Sequence, residues 1–177
     1  MTNTRIINFY GGPSSGKSTA AAGLFYKMKV AGLSVELTDE FAKECVWEGN
    51  VPMLKDQLWV LAHQHRKILR LSDKVDYIIT DSPVLLSPIY RERYGEAIYS
   101  DLIDQMAFEC YCLYNHNINF MLTRPEGFEQ QGRAQDEAEC ILIDEAIMEQ
   151  FDRLNVGYIN LDSSDNASAA MRYIKRL

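Results

Sequence analysis

Apolar residues gather in five short runs, Arg5–Tyr10, Ser34–Thr38, Asp76–Thr80, Asn117–Thr123 and Val156–Leu161, each of strand length and rich in Ile, Leu, Val or Phe. Between them the apolar positions recur at three- and four-residue intervals, as one face of a helix requires. Ser18–Val30 sets Ala20, Leu24 and Met28 on one stripe, and Leu54–Leu71 does the same with Leu58, Leu61 and Ile68. Ala97–Leu113, Asp136–Leu154 and Ala167–Arg176 are further predicted helices. Strands alternating with helices predict an α/β fold, with a mainly parallel sheet covered by helices on both faces. Ligands of such sheets bind beyond the carboxyl ends of the strands. The residues that follow each strand are therefore where chemistry is expected.

Composition narrows the picture. The 177 residues suit one domain, 1–177, and no repeat, low-complexity stretch or linker divides them. Lys and Arg number 18 against 25 Asp and Glu, a net charge of −7. Residues 1–80 carry +2 and residues 81–177 carry −9. An acidic half argues against an extended nucleic-acid groove, because gripping phosphates takes Lys and Arg. No apolar run approaches the ~20 residues that cross a bilayer, and Arg5-Ile-Ile-Asn-Phe-Tyr10 is no signal peptide. Cys45, Cys110, Cys112 and Cys140 form no CxxC pair and no zinc spacing with His63, His65 or His116. Reduced, mostly buried thiols and a cytoplasmic location are expected.

The first strand runs into Gly11-Gly12-Pro13-Ser14-Ser15-Gly16-Lys17-Ser18-Thr19, a full match to GxxxxGK[ST] with a strand before it and a helix after it. These nine residues are the expected nucleotide-binding loop. Glycines let backbone N–H groups turn inward around a phosphate, and the helix N-terminus adds a favourable dipole. Lys17 is expected at the β- and γ-phosphates of ATP and the Ser18 hydroxyl on Mg²⁺. A serine-rich turn that merely caps a helix leaves Lys17 unexplained, since a cation there opposes the dipole.

Two other strand ends carry carboxylates. Tyr77-Ile-Ile-Thr80 leads to Asp81-Ser82-Pro83, and an aspartate there is placed to hold Mg²⁺ beside a phosphate loop. Its plainer role is to cap the next turn. Thr38 is followed by Asp39 and Glu40, either of which could accept the proton of an attacking hydroxyl, or simply favour the start of a helix at Phe41–Val46. Glu40 and Lys43 stand one helical turn apart and could contact substrate or pair with each other.

After the fourth strand, Thr123-Arg124-Pro125 leads through Gly127 to Gln131-Gly132-Arg133. Such a segment suits a lid, at about 124–135, whose Arg124 and Arg133 stabilise charge on a transferring phosphoryl group. The alternative is a polar loop whose arginines pair with neighbouring acids. Gln64 could hydrogen-bond an acceptor base or sugar, and Trp47, Trp59 or Tyr90 could stack on a ring, although such residues more often serve the core or face solvent. The acids of the predicted helices Glu96–Leu113 and Asp136–Leu154 read as solvated faces.

Taken in order, the phosphate loop, Glu40-x-x-Lys43, Gln64, Tyr77-Ile-Ile-Thr-Asp81 and Gln131-Gly132-Arg133 resemble the small P-loop kinases similar to the nicotinamide-riboside kinase domain, a group common in bacteriophages. The resemblance to thymidylate and deoxynucleoside kinases is more distant. It covers Ile6 to Tyr173, with Lys43 where the family has arginine and Gln131 where it has aspartate. It implies a P-loop NTPase fold of the kinase-like kind: a three-layer sandwich, a five-stranded mainly parallel sheet and a short lid. It further implies an ATP- and Mg²⁺-dependent phosphotransferase acting on a hydroxyl of a nucleoside- or nucleotide-type acceptor. Glu40, Lys43 and Gln64 are the expected acceptor contacts. A phage branch that phosphorylates 5-hydroxymethyluracil within DNA is the leading specialisation, since one extruded base needs little basic surface. Nicotinamide riboside, other nucleosides and deoxynucleoside monophosphates are the alternatives. A regulatory NTPase switch is the competing class, but Thr123-Arg-Pro stands where a guanine-specific NKxD motif belongs.

Overall fold

The computed structural model describes residues 3–95, 99–124 and 137–177. Five strands, β1 (Arg5–Tyr10), β2 (Val35–Thr38), β3 (Tyr77–Thr80), β4 (Asn117–Leu122) and β5 (Ile159–Leu161), form one sheet in the order β2-β3-β1-β4-β5. Every neighbouring pair is parallel, with Ile6 beside Ile78 and Phe9 beside Phe120. The interior strands are buried on both faces, which is why they read as continuous apolar runs.

Side chains alternate across the sheet. Ile6, Tyr10, Ile78 and Met121 pack on one side against α3 (Gln57–Leu69), α4 (Leu86–Tyr94), α5 (Ser100–Cys112) and α6 (Glu137–Leu154). Ile7, Phe9, Ile79 and Phe120 pack on the other against α1 (Lys17–Val30) and α7 (Asn166–Ile174). Ala20, Leu24 and Met28 are buried on α1 as their spacing predicts. Gly23 lets the two outer helices meet: a Cβ there would lie 2.8 Å from Ala167 Cβ.

Three expectations are corrected in detail. The helix placed at Leu54–Leu71 starts later, because Asp56 caps it by accepting from Trp59 N at 3.0 Å while Val51–Lys55 forms a 3₁₀ turn containing Pro52. α4 was not expected. Pro88 suggests a break, but it falls in the first turn, where a missing N–H costs nothing. β5 begins only at Ile159, after Gly157. The seven-residue α2 (Phe41–Trp47) completes the fold. None of the four cysteines is in a disulfide among the described residues, and Cys45, Cys110 and Cys140 are buried. No helix among the described residues is long and apolar enough to cross a membrane.

Candidate active site

β1 lies between β3 and β4, so the loop leaving its carboxyl end emerges with the β3 end on one side and the β4 end on the other. Gly16 occupies the N-cap of α1 at φ 84°, and Ser14 also sits in the left-handed region at φ 70°. Such a conformation costs a non-glycine residue roughly 1 kcal/mol or more and persists where the surroundings impose it, commonly at ligand sites. No acidic residue stands in the first turn of α1 and no side chain among the described residues caps it, so its amides remain suited to an anion.

Lys17 is half-buried, and its Nζ donates to the carbonyls of Gly11 at 2.6 Å and Gly12 at 2.9 Å. Burial pushes the ammonium pKa down, and the charges of Glu40, Asp81 and Asp144 act against that shift. Carboxylates from three elements thus surround one lysine. Asp81, at the end of β3, is 7% exposed and its Oδ1 has no hydrogen-bond partner among the described residues. Ser15 Oγ, in the loop, is likewise buried and unpartnered. Buried polar atoms are nearly always satisfied, so each of these two calls for a partner, water or ligand, beyond the described residues. The described residues hold no cluster of three His, Cys, Asp or Glu side chains fit for a metal. One carboxylate at Asp81 and one hydroxyl at Ser18 fit Mg²⁺, which keeps waters and takes phosphate oxygens rather than filling a protein cage. Ser18 and Thr19 are exposed at the start of α1, open to such a ligand.

The two adjacent carboxylates after β2 part company. Asp39 is exposed and accepts from Lys67 Nζ at 3.0 Å, which holds its carboxyl below the ordinary range. Lys67 also binds Glu44. Glu40, at the N-cap of α2, is half-buried, and burial raises its carboxyl pKa against the pull of Lys17. Glu40 is therefore the carboxylate of the cleft. Tyr90 of α4 belongs to the same cleft: burial pushes its phenol well up, and the charges of Glu40 and Asp144 add to that shift. Lys43 is exposed, with its charge acting on Glu40.

Gln64 is buried and bonded to the fold around it. Its Oε1 accepts from Phe41 N and its Nε2 donates to Thr80 Oγ1, both at 3.3 Å, tying α2 to the end of β3. Trp59 packs with Phe41 and His63 in a small aromatic cluster, whereas Trp47 is exposed. Arg124 is turned onto the phosphate loop: Nη1 donates to the Pro13 carbonyl, and Nη2 donates to Asp144 Oδ2 at 2.6 Å and Cys140 O at 3.1 Å. Arg133 and nearly all of the expected lid lie outside the described residues.

The spacing of motifs pointed to neither Lys67 nor Asp144. Asp144 stands among the acids of α6, so its sequence neighbourhood reads as a solvated face. Its side chain is only 21% exposed, and Oδ1 accepts from the Gly12 N–H at 2.5 Å.

A family model described as an AAA domain matches residues 6–168. The chain belongs to that AAA domain family. No curated protein sequence matches it. Among solved structures the fold is similar to the NadR protein in complex with NR, with a TM-score of 0.78 at 14% identity over 98% of this chain and 51% of that one. NadR in complex with NAD and AMP-PNP gives 0.71 at 14% identity, over 98% and 49%. Thymidylate kinase from Ehrlichia chaffeensis gives 0.61 at 20% identity, over 98% of both chains. This family member thus spans about half the length of the NadR chains and nearly all of the thymidylate kinase. At these identities the likeness is one of fold, the P-loop NTPase fold of the kinase-like kind, in agreement with the strand order and the loop.

Proposed function

We propose that the chain is an ATP- and Mg²⁺-dependent kinase that transfers the γ-phosphoryl group to a hydroxyl of a nucleoside-type acceptor. The observation that carries this reading is Glu40, a withdrawn carboxylate with a raised pKa, set close enough to Lys17 and Asp81 for their charges to act on one another. A carboxylate so placed orients an acceptor hydroxyl and takes its proton as the new O–P bond forms and the bond to the leaving ADP oxygen breaks. The loop amides of residues 14–18 cradle the phosphates, and Lys17 and Arg133 are the cations proposed for the charge on the transferring group. Mg²⁺, held by Ser18 and Asp81, supplies neutralisation of the phosphate oxygens.

The charges favour a neutral hydroxyl over a phosphomonoester acceptor. Glu40, Asp81 and Asp144 all act on the cleft lysine, and a second phosphate would meet their repulsion. Among hydroxyl acceptors, 5-hydroxymethyluracil extruded from DNA is the leading candidate, which places the chain in a bacteriophage DNA-modification step in the host cytoplasm. Free nucleosides and nicotinamide riboside are the alternatives. The test is labelled ATP with Mg²⁺ and three separate acceptor pools: nucleosides, nucleoside monophosphates, and hydroxymethyluracil-containing DNA. Label on a nucleoside or on the DNA supports the reading. Label on none, with steady release of inorganic phosphate, favours a regulatory NTPase.

A further inference from the structure

The turn Gly11–Pro13 belongs to no helix or strand, yet its carbonyls and the Gly12 N–H are all engaged. Gly11 and Gly12 present their carbonyls to Lys17, Pro13 presents its own to Arg124, and the Gly12 N–H donates to Asp144. Asp144 in turn binds Arg124 at 2.6 Å. Side chains from α1, from the end of β4 and from α6 therefore grip one turn. The approach is close: a Cβ on Gly12 would lie 2.7 Å from Cys140 O, 3.0 Å from Arg124 Nη2 and 3.1 Å from Asp144 Oδ1. Cys140 and Asp144 are one turn apart, so a single face of α6 addresses the loop.

Lys17 spends two of its three ammonium donors on Gly11 and Gly12, which leaves one for a phosphate. Asp144 and Arg124 supply the other side-chain bonds to the turn, one to the Gly12 N–H and one to the Pro13 carbonyl, and bind each other. We propose that Asp144 is a positioning residue for nucleotide binding: with Arg124 it holds the Gly12–Pro13 turn, and through it the Lys17 ammonium, in the shape that meets phosphate. This rests on the nucleotide-binding part of the reading above and not on the identity of any acceptor. Burial supports it: the side chains of Arg124 and Asp144 are 14% and 21% exposed, a setting in which removing one partner of an ion pair strands the other.

The test is calorimetric titration of Mg²⁺ and ATP into the full chain, with amide exchange across residues 11–18 in the absence of nucleotide. Asp144→Ala is expected to weaken ATP binding about tenfold or more and to speed exchange in the loop. Asp144→Asn is expected to lose about threefold, because its amide oxygen still accepts from Gly12 N–H. The double variant Arg124→Ala with Asp144→Ala is expected to be no weaker than Asp144→Ala alone, since both act through one strap. Should Asp144→Ala not fold, Asp144→Asn and Arg124→Lys carry the same comparison. A variant set that binds ATP within twofold of the wild type, or that loses thermal stability with unchanged loop exchange, overturns the proposal and leaves only a fold contact. A wild-type chain that binds no ATP overturns the nucleotide reading itself. One that binds ATP with the expected dependence but transfers to no acceptor keeps this inference and removes the kinase.

Discussion

Lys67 and Asp39 form a 3.0 Å ion pair that joins α3 to the β2–α2 junction, and with Asp39 held outward Glu40 is the carboxylate left in the cleft. Glu40→Gln is expected to lower kcat about 10²–10³-fold with little change in the KM for ATP, as removal of a general base does. Asp39→Asn is expected to leave kcat within a few-fold and to cost at most about 1 kcal/mol of stability, since its side chain is 74% exposed. Steady-state kinetics and denaturant melts of the two variants separate the roles.

The pH dependence follows from the direction of the Glu40 shift. A raised carboxyl pKa keeps the proton on Glu40 to higher pH, so the acid limb of kcat is expected above the ordinary glutamate range, and Glu40→Gln abolishes that limb. Folding binds a proton more tightly at this site than the unfolded chain does, so ionised Glu40 opposes folding above its raised pKa. Glu40→Gln is therefore expected to raise the melting temperature at pH 7–8 while slowing the proposed phosphoryl transfer. Asp39 has the opposite sign. Its lowered pKa contributes stability above the ordinary aspartate range, and that contribution is lost as pH falls through the lowered value.

Asp81 reaches the cleft from the end of β3 with an unpartnered carboxylate oxygen. Asp81→Asn is expected to reduce kcat about 100-fold and to raise the Mg²⁺ concentration needed for half-maximal activity. A Mg²⁺ titration of the variant beside the wild type reads both effects. An unchanged Mg²⁺ requirement would return Asp81 to a turn-capping role.

The helix pair α1 and α7 offers a test of packing. A Cβ at Gly23 would lie 2.8 Å from Ala167 Cβ, so Gly23→Val has to push the helices apart and is expected to cost about 2 kcal/mol. Denaturant unfolding measures the loss.

Much of this fold is legible in the chain because its strands and helices carry different periods. β1 reads as a strand because a central parallel strand is apolar on both faces, and α1 reads as a helix because Ala20, Leu24 and Met28 repeat at four. α4 is hidden by Pro88, which looks like a breaker until the helix is seen to start two residues before it. The phosphate loop is legible as a motif because several residue types are needed at fixed spacing. Asp144 is not, because its contact with Gly12 spans 132 residues of sequence. The partners of Gln64 are hidden for the complementary reason. A polar residue on a helix says nothing of its partner, and here the partners are Phe41 and Thr80 of the fold itself.

Transfer of a phosphoryl group from ATP to a hydroxyl at Lys17, Glu40 and Asp81 can be read in the phosphorus NMR spectrum of a reaction containing ATP, Mg²⁺ and the acceptor that takes up label. A new phosphomonoester resonance is expected to grow with ADP, to be absent with Lys17→Ala and to grow far more slowly with Glu40→Gln. Inorganic phosphate as the sole product, or a diphosphate ester in place of the monoester, would contradict such a transfer.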